Sequence, residues 1–260
     1  MTPRRSGMSR RPPKILVITL RIAVFAAFIG VWEWAAKARG SPLTFPTASA
    51  VAGAFVRIIG ELSTWQAVAT TLEAFALGYG LALVVGIGFG LLAGRFEPVR
   101  HLGGVYLRIL LTAPLAPLIP LMIGIFGIGL AARVALVFIF CLATLAINTQ
   151  VGVENADRDL IEMARSYGAK ELLAFRRVRL PAAMPAIMAG VRLGTARAVV
   201  GMVVAELIIV SVGLGQLLNF YRGRFRAAEM FAVVIVILLV GLCLLQIVKL
   251  LERRLTRWQR

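Results

Sequence analysis

The polar stretch EMARSYGAKELLAFRRVRLP, residues 162–181, lies between two long apolar segments of a 260-residue chain. It contains five basic residues, two acids, one glycine and a closing proline. Apolar residues at i, i+3, i+4 and i+7 begin just before it and predict a short helix with one apolar stripe. That stripe consists of Leu160, Met163, Ala164 and Tyr167.

Two residues delimit the elements of this stretch. Gly168 is placed to end the first helix, because glycine adopts the left-handed C-cap conformation without a steric penalty. Residues 171–179 can form a second short helix, and Pro181 fits the first turn of the segment that follows. The sequence therefore predicts a helix-turn-helix whose amphipathic surface needs something on which to dock.

The surrounding chain is too apolar for a soluble domain. Hydrophobic residues make up 60% of it, charged residues 16%, and the mean hydropathy is +0.87. Four nearly charge-free runs are each close to the ~20 residues that cross a bilayer: residues 74–94, 109–132, 134–153 and 230–248. Two further apolar runs carry charges: residues 15–36 and the segment from Pro181 to about Val212. We predict an all-α membrane protein with six transmembrane helices and the polar stretch between the fourth and fifth.

The distribution of Lys and Arg predicts the orientation, because basic loops stay on the cytoplasmic side. With the N-terminus inside, 18 basic residues fall in inside segments and 7 in outside segments. Both termini and the polar stretch are therefore expected in the cytoplasm. The outside residues are Lys37, Arg39, Arg57, Arg133, Arg222, Arg224 and Arg226. The last three serve either as residues of a solvated loop or as contacts to a partner or an anion.

Four regions are expected along the chain. Residues 1–14 and 252–260 are basic cytoplasmic tails, and residues 15–64 hold the first helix and an external segment with a helix over residues 50–62 capped by Ser49. Residues 65–251 form a core with five transmembrane helices, which includes the polar loop 154–181. Residues 1–40 could instead be a signal peptide, but the apolar run of about 22 residues exceeds the usual ~7–15, which favours a retained helix.

Several classes of function are not supported by this sequence. The net charge of +17 is spread over helix ends rather than gathered into a nucleic-acid patch. Cys141 and Cys243 have no metal-ligand spacing and are predicted to be small core residues, and His101 is the only histidine. No GxxxxGK[ST] motif occurs, so an ATP-driven process would need a separate ATPase. We predict a non-catalytic membrane protein without a cofactor or metal.

The polar stretch also contains a recognisable pattern. Its residues fit EAA, three residues, G, nine residues, I, x, LP, with Met163 in place of one of the two alanines: Glu162, Ala164, Gly168, Val178, Leu180 and Pro181. This resembles the cytoplasmic loop of permease subunits of ABC importers that depend on a binding protein. The similarity extends over LTAPLAPLIPLMIGIFGIG and RRVRLPAAMPAIMAGVRLG, and it points to the branch that imports nitrate, sulfonates and taurine, or a thiamine-precursor pyrimidine.

This resemblance implies a homodimeric pore in the bacterial plasma (inner) membrane. Two cytoplasmic ATP-binding subunits and an extracytoplasmic solute-binding protein would be its partners. The helix around Glu162 would be the coupling helix seated in a groove of the ATPase. The residues implied in coupling are Glu162, Met163, Ala164, Tyr167, Gly168, Leu180 and Pro181. The alternative is an ATP-independent channel or scaffold, which would not depend on these residues.

Charges at membrane depth are hypotheses about function. They are Arg21, Glu33, Glu73, Arg108, Arg192, Arg197 and Glu206. No pair within the fifth helix neutralises itself, so their partners must come from elsewhere. Arg197 either lowers the barrier for an anionic solute, or pairs with an acid such as Glu73, or packs against the polar loop.

Pro114, Pro117 and Pro120 interrupt the third predicted span, because each removes a backbone donor. They either kink the packing or line a cavity. The candidate pore or solute path therefore comprises Pro114, Pro117, Pro120, Arg197 and Glu206. Gly86, Gly90 and Gly94 repeat every fourth residue and predict close helix packing.

Overall fold

The computed structural model describes residues 14–41, 43–114, 117–208 and 212–255. Every regular element in these ranges is helical, including a π-helical turn, Phe175–Arg179. Most of the predicted basic tails, residues 1–13 and 256–260, lie outside the described residues. The helices are α1 (Lys14–Arg39), α2 (Ala48–Ile59), α3 (Leu62–Arg95), α4 (Glu97–Thr112), α5 (Leu118–Phe126), α6 (Leu130–Glu154), α7 (Arg158–Ser166), α8 (Glu171–Ala174), α9 (Leu180–Ile208), α10 (Gly213–Gly223) and α11 (Ala227–Leu255).

Helices α3, α6 and α9 form a tightly packed three-helix core. Glycines let the α3 and α6 backbones approach, because a Cβ atom at Gly90 would lie 2.5 Å from Cβ of Thr149. The same close contact recurs at Gly94, whose Cβ would lie 2.6 Å from Cβ of Val153. Glycines of α9 pack in the same way against α6, for example Gly190 against Asn148. The predicted glycine stripe is therefore a packing surface.

The remaining long helices pack less extensively. Helices α2, α10 and α11 share a second apolar cluster with the N-terminal half of α3. Helix α1 meets the rest only near its C-terminal end, where Trp32 donates to the carbonyl of Pro46 at 3.1 Å. In the apolar stretch of α1 no residue is buried. In the described ranges five stretches are long and apolar enough to cross a membrane: Ile15–Arg39, Leu62–Arg95, Leu130–Glu154, Glu171–Ile208 and Ala227–Arg254.

The prediction of one continuous third span over residues 109–132 is wrong. Helix α4 ends at Thr112, α5 begins only at Leu118, and α6 starts at Leu130. Pro114 and Pro117 lack backbone donors and fall in the break, while Gly127 turns the chain with φ +72°. The segment therefore consists of two shorter helices rather than one membrane-length helix.

Two smaller expectations are also wrong. The cap of α2 is Thr47, whose side chain accepts from Ala50 N at 3.2 Å, whereas Ser49 donates to Glu33 of α1 at 3.0 Å. Cys141 is buried in the core as predicted, but Cys243 is exposed on α11, where it lines an apolar groove.

Candidate functional site

Helix α7 is a short element with both ends defined. The Asp157 carboxylate accepts from Asp159 N at 2.9 Å and caps the N-terminus. At the other end Gly168 has φ +79°, and Ala169 N donates to Ala164 O at 3.0 Å. This is the left-handed C-terminal geometry that glycine favours, which confirms the predicted stop.

The apolar stripe predicted for α7 faces away from the protein. Tyr167 is 86% exposed, Met163 is 53% exposed, and Leu160 is also exposed. Glu162 is exposed beside them, and Ala164 is half-buried. The one buried side chain of α7 is Ile161, which lies about 110° around the helix from the centre of this stripe. Helix α7 therefore buries a single side chain and presents its predicted contact face outward.

The chain after α7 runs into the membrane without a break. Arg165 of α7 pairs with Glu171 of α8 at 2.7 Å. Helix α8, the π-helical turn and α9 then follow one another as a single stretch, Glu171–Ile208. The expected separate second helix over residues 171–179 is thus continuous with the fifth membrane helix. The π-helical turn lies just before Pro181, which has no N–H to continue the ladder.

Leu180 and Pro181 lie at the junction between this loop and α9. Both are half-buried, and Leu180 packs on Val153 of α6 and Ala183 of α9. The loop, residues 154–181, therefore rests on the end of the three-helix core where α6 ends and α9 begins. The structure brings all seven predicted coupling residues into this one loop region: Glu162, Met163, Ala164, Tyr167, Gly168, Leu180 and Pro181.

Glu206 is the buried centre of a polar cluster near the other end of α9. It is 1% exposed, and its Oε2 atom accepts from Thr71 Oγ1 at 2.9 Å and from Gly215 N at 3.1 Å. Leu214 N donates to the hydroxyl of Thr71 at 3.0 Å. The Glu206 carboxylate and the Thr71 hydroxyl therefore each satisfy one of the free N-terminal donors of α10 and join it to α9 and α3.

Arg133 completes this cluster from α6. The expectation that it lies in an outside loop is wrong, since it is buried in the first turn of α6. Its Nη1 atom lies 3.8 Å from Oε1 of Glu206 and donates to Thr70 O at 3.4 Å. A buried arginine needs an acid nearby, and Glu206 supplies that acid. Of the partners left open for the α9 charges, namely other helices, a dimer mate, lipid headgroups or substrate, the structure places other helices beside two: Arg133 of α6 lies beside Glu206, and Glu252 of α11 pairs with Arg192 at 3.4 Å.

Arg197 is exposed and lies on the far side of α9 from α3. Thr195 faces α3, because its hydroxyl lies 2.8 Å from that of Tyr79, and residues two apart on a helix point about 200° apart. Pairing of Arg197 with Glu73 of α3 within one chain is therefore ruled out. None of the ion pairs among the described residues includes Arg197.

Arg197 lies at the same depth as the break between α4 and α5. Gly194 and Gly201 of α9 face Leu145 and Phe140 of α6, so Arg197 lies level with the stretch between them. Leu111 of α4 packs on the cluster that contains Ala143 of α6, and Ile119 of α5 packs in the cluster that contains Leu136, so the break lies between these levels of α6. The exposed prolines Pro114, Pro117 and Pro120 are at or beside this break. Glu206, in contrast, lies about two and a half turns nearer the C-terminal end of α9 and is buried.

The residues that contact the loop and the buried Glu206 were not predicted from the sequence. Gly213 and Gly215 follow Glu206 closely in the sequence, and closely packed glycines leave backbone donors available to an acid. This pattern could have prompted a search for the partners of Glu206, which are Arg133 and Thr71. Ile161 was not identified because the predicted apolar stripe lies on another face of α7. Arg95 and Phe175, which contact each other, are far apart in sequence, and no local pattern links them.

The fold defines a class of protein: an all-helical, multi-pass membrane protein. A comparison with protein families gives the same result. The family described as "Binding-protein-dependent transport system inner membrane component" matches residues 86–257. The chain belongs to this family.

Relatives of known name are similar over most of the chain. The riboflavin transport system permease protein RibX of Chloroflexus aurantiacus is 31% identical over 260 residues, 100% of this chain and 96% of the relative. The taurine transport system permease protein TauC of Escherichia coli is 29% identical and covers 93% of this chain and 90% of its own. The putative aliphatic sulfonates transport permease protein SsuC of Bacillus subtilis is 35% identical over 185 residues, 71% of this chain and 66% of its own.

Solved structures support the fold. The chain resembles the inward-facing MetNI methionine ABC transporter with a TM-score of 0.59 at 20% identity, over 75% of this chain and 94% of that one. The protein is accordingly a multi-pass membrane permease subunit of an ABC transporter. It is not itself an enzyme, because ATP hydrolysis belongs to a separate ATP-binding subunit of such transporters. This sets aside the alternative of an ATP-independent channel or scaffold.

Proposed function

We propose that the protein forms, as a homodimer, the membrane pore of an importer for a small organic anion of the sulfonate class. The loop of residues 154–181 transmits the motion of two cytoplasmic ATP-binding subunits to that pore. A solute-binding protein delivers the anion from outside. The observation that carries the proposal is the outward-facing apolar stripe of α7, which one chain leaves uncovered.

The stripe of α7 has the composition of a docking surface. Tyr167 and Met163 offer large apolar contacts, and aromatic residues and methionine are enriched where protein interfaces are buried. Glu162 stands beside them as a charged contact. Such a surface on a nine-residue helix fits a groove on a partner, which for this family is the ATP-binding subunit.

The solute class is supported by the relatives and by Arg197. Three of the relatives, including TauC and SsuC from Escherichia coli, carry the names of taurine or aliphatic sulfonates. Arg197 is exposed at the depth of a broken helix, where irregular backbone persists only if it lines a cavity or is buried in protein. A guanidinium at this depth lowers the barrier for a sulfonate group.

The orientation and the dimer follow from charge and exposure. The 18-to-7 bias of basic residues supports cytoplasmic termini. The face of α9 that carries Leu193, Arg197 and Val200 is exposed in one chain, and an arginine there is costly against lipid. A second copy that covers this face across a wet pore removes the cost.

A pulldown from the native membrane in mild detergent tests the docking role. Tagged wild-type protein is expected to recover an ATP-binding subunit with ATPase activity, and the Glu162→Arg, Tyr167→Ala variant is expected to lose it. A Tyr106→Ala variant, which alters an equally exposed tyrosine on α4, serves as the matched control and should recover the subunit. Recovery of equal amounts with all three proteins would contradict the proposal.

Uptake measurements test the solute class. Cells that contain the complete transporter are expected to take up taurine or an alkanesulfonate, and Arg197→Gln is expected to slow this uptake about tenfold or more, as loss of a charge-assisted contact does. Arg197→Lys should keep part of the rate. Uptake of riboflavin but of no sulfonate would overturn the proposed class and align the protein with the first relative above.

Orientation is tested by labelling with a membrane-impermeant thiol reagent. A cysteine in place of Arg224 should react in intact cells, and one in place of Lys170 only after permeabilisation. Both positions are exposed, so access to the compartment decides the result. The opposite pattern would reverse the topology.

A further inference from the structure

Arg95, the last residue of α3, holds the cytoplasmic loop to the core. Its guanidinium carbon lies 5.1 Å from the ring centroid of Phe175 and 5.3 Å from that of Phe96. Both distances are within the ~6 Å over which a cation is attracted to an aromatic face. The positive charge is also favoured at this place, because the C-terminus of a helix carries a partial negative charge. Arg95 is thus fixed from the α3 side and reaches across to the loop.

Phe175 connects this contact to both the loop and the membrane helices. It is the first residue of the π-helical turn between α8 and α9, and it packs against the buried cluster of Val153, Ala183 and Ile187, on which Leu91 of α3 also packs. Arg95 and Ile161, the buried residue of α7, line the same small crevice. One side chain of α3 therefore contacts the region where α7, α8 and the π-helical turn converge.

Three connections lead from the loop to the membrane helices. Two are covalent, since α6 ends at Glu154 just before α7 begins at Arg158, and α8 and the π-helical turn run on into α9. The third is the Arg95 contact, a lateral attachment of the loop to α3, which the chain does not join directly to the loop. It is made at the π-helical turn that carries Phe175, and such turns are frequent at functional sites.

We propose that Arg95 is a positioning residue that makes α3 move with the loop when the ATP-binding subunits close, through its contact with Phe175. This rests on the proposed docking of α7 and goes beyond it, because Arg95 lies outside the docking stripe. The docking surface and the lateral attachment are distinct functions. Removal of Arg95 leaves the ATP-binding subunit bound and uncouples its ATP hydrolysis from transport.

The test uses the complete transporter, purified with its ATP-binding subunit and reconstituted into vesicles with its binding protein and taurine. Three quantities are measured: ATP-binding subunit bound per permease, ATP hydrolysed, and taurine transported. The variants are Arg95→Gln, Arg95→Lys, Phe175→Leu and the double variant Arg95→Gln, Phe175→Leu. Arg253→Gln, an exposed arginine in the last turn of α11, is the matched control.

Arg95→Gln is expected to retain the bound subunit and basal ATP hydrolysis within about twofold, and to lower taurine transported per ATP about fivefold or more, the scale of a partly desolvated cation–π contact. Arg95→Lys should restore part of the ratio, because lysine keeps the charge. Phe175→Leu should lower it as much as Arg95→Gln does, and the double variant should lower it no further, since both remove one contact. Arg253→Gln should match wild type.

Several results would overturn the inference. An unchanged transport-to-ATP ratio in Arg95→Gln would show that the attachment is not used. Additive losses in the double variant would show that Arg95 and Phe175 act separately. Loss of the bound subunit in Arg95→Gln would make Arg95 part of the docking surface instead. Failure of wild type itself to bind an ATP-binding subunit would refute the proposed docking, which distinguishes that failure from the failure of this inference.

Discussion

The three-helix core and the cytoplasmic loop are built in opposite ways. In the core, glycines bring α3, α6 and α9 so close that an added Cβ atom at Gly90 would overlap Thr149. In the loop, α7 buries a single side chain, Ile161, and exposes its apolar stripe. The core therefore has no space for larger side chains at these glycines, whereas the loop presents an apolar surface that is uncovered in one chain.

This difference separates stability from coupling. A substitution in the core alters contacts that are complete in one chain, so it changes the free energy of unfolding. A substitution on the exposed face of α7 alters contacts that form only with a partner, so the folded protein persists and binding is lost. Substitutions that test this separation differ in their expected effect on stability, from several kcal/mol in the buried cluster to almost none on the exposed face of α7.

The largest loss of stability is expected for Glu206→Ala. The change leaves Arg133 buried without its acid and removes the acceptor of Gly215 N. Breaking one partner of a buried charge pair costs about 3–5 kcal/mol. The measurement is the fraction of protein that stays monodisperse in detergent after heating. Glu206→Gln keeps an acceptor oxygen and should lie between wild type and alanine; equal stability of all three would refute the structural role of the cluster.

A smaller loss is expected for Gly90→Ala. The new Cβ atom would lie 2.5 Å from Thr149 Cβ, so α3 and α6 must separate, at about 1–3 kcal/mol. Gly88→Ala on the same helix is the matched control, since its Cβ would meet nothing within 4 Å. Thermal melts of both variants in detergent should show a lowered midpoint for Gly90→Ala alone. Equal midpoints would mean that the two helices are not in close contact.

Gly168→Ala is expected to act mainly on the loop. The residue has φ +79°, where an L side chain costs about 1–2 kcal/mol, so the end of α7 is strained or shifted. The core does not depend on it, and the melting midpoint should stay near that of wild type. The amount of bound ATP-binding subunit should fall several-fold, whereas Gly53→Ala, in an open part of α2, should keep it. A lowered midpoint with normal binding would contradict the separation.

The smallest effect on stability is expected for Tyr167→Ala. Its side chain is 86% exposed, and surface substitutions of this kind stay within about 0.5 kcal/mol. Binding of the ATP-binding subunit should nevertheless weaken, because an exposed aromatic residue in a contact face becomes buried in the complex. Titration of the purified permease with the subunit measures the change. Tyr106→Ala should leave both quantities unchanged.

The sequence predicted the helical class, the places of the uninterrupted spans and the end of α7 at Gly168, because hydropathy and left-handed glycine act locally. It did not predict that Arg133 is buried or that Arg95 meets Phe175, since these contacts join residues far apart in the chain. The third span was predicted as one helix because the apolar run is long enough. The prolines within it were recognised, but run length was given more weight than the missing backbone donors.

Site-specific cross-linking tests most directly the claim that the exposed face of α7 binds the ATP-binding subunit. Met163→Cys and Ile161→Cys are each placed in a Cys243→Ser background, in which the remaining cysteine, Cys141, is buried. After treatment of native membranes with a short bifunctional thiol reagent, Met163→Cys should link to the ATP-binding subunit and Ile161→Cys should not. Linking through Ile161→Cys alone, or no linking while the subunit co-purifies with both proteins, would contradict the account.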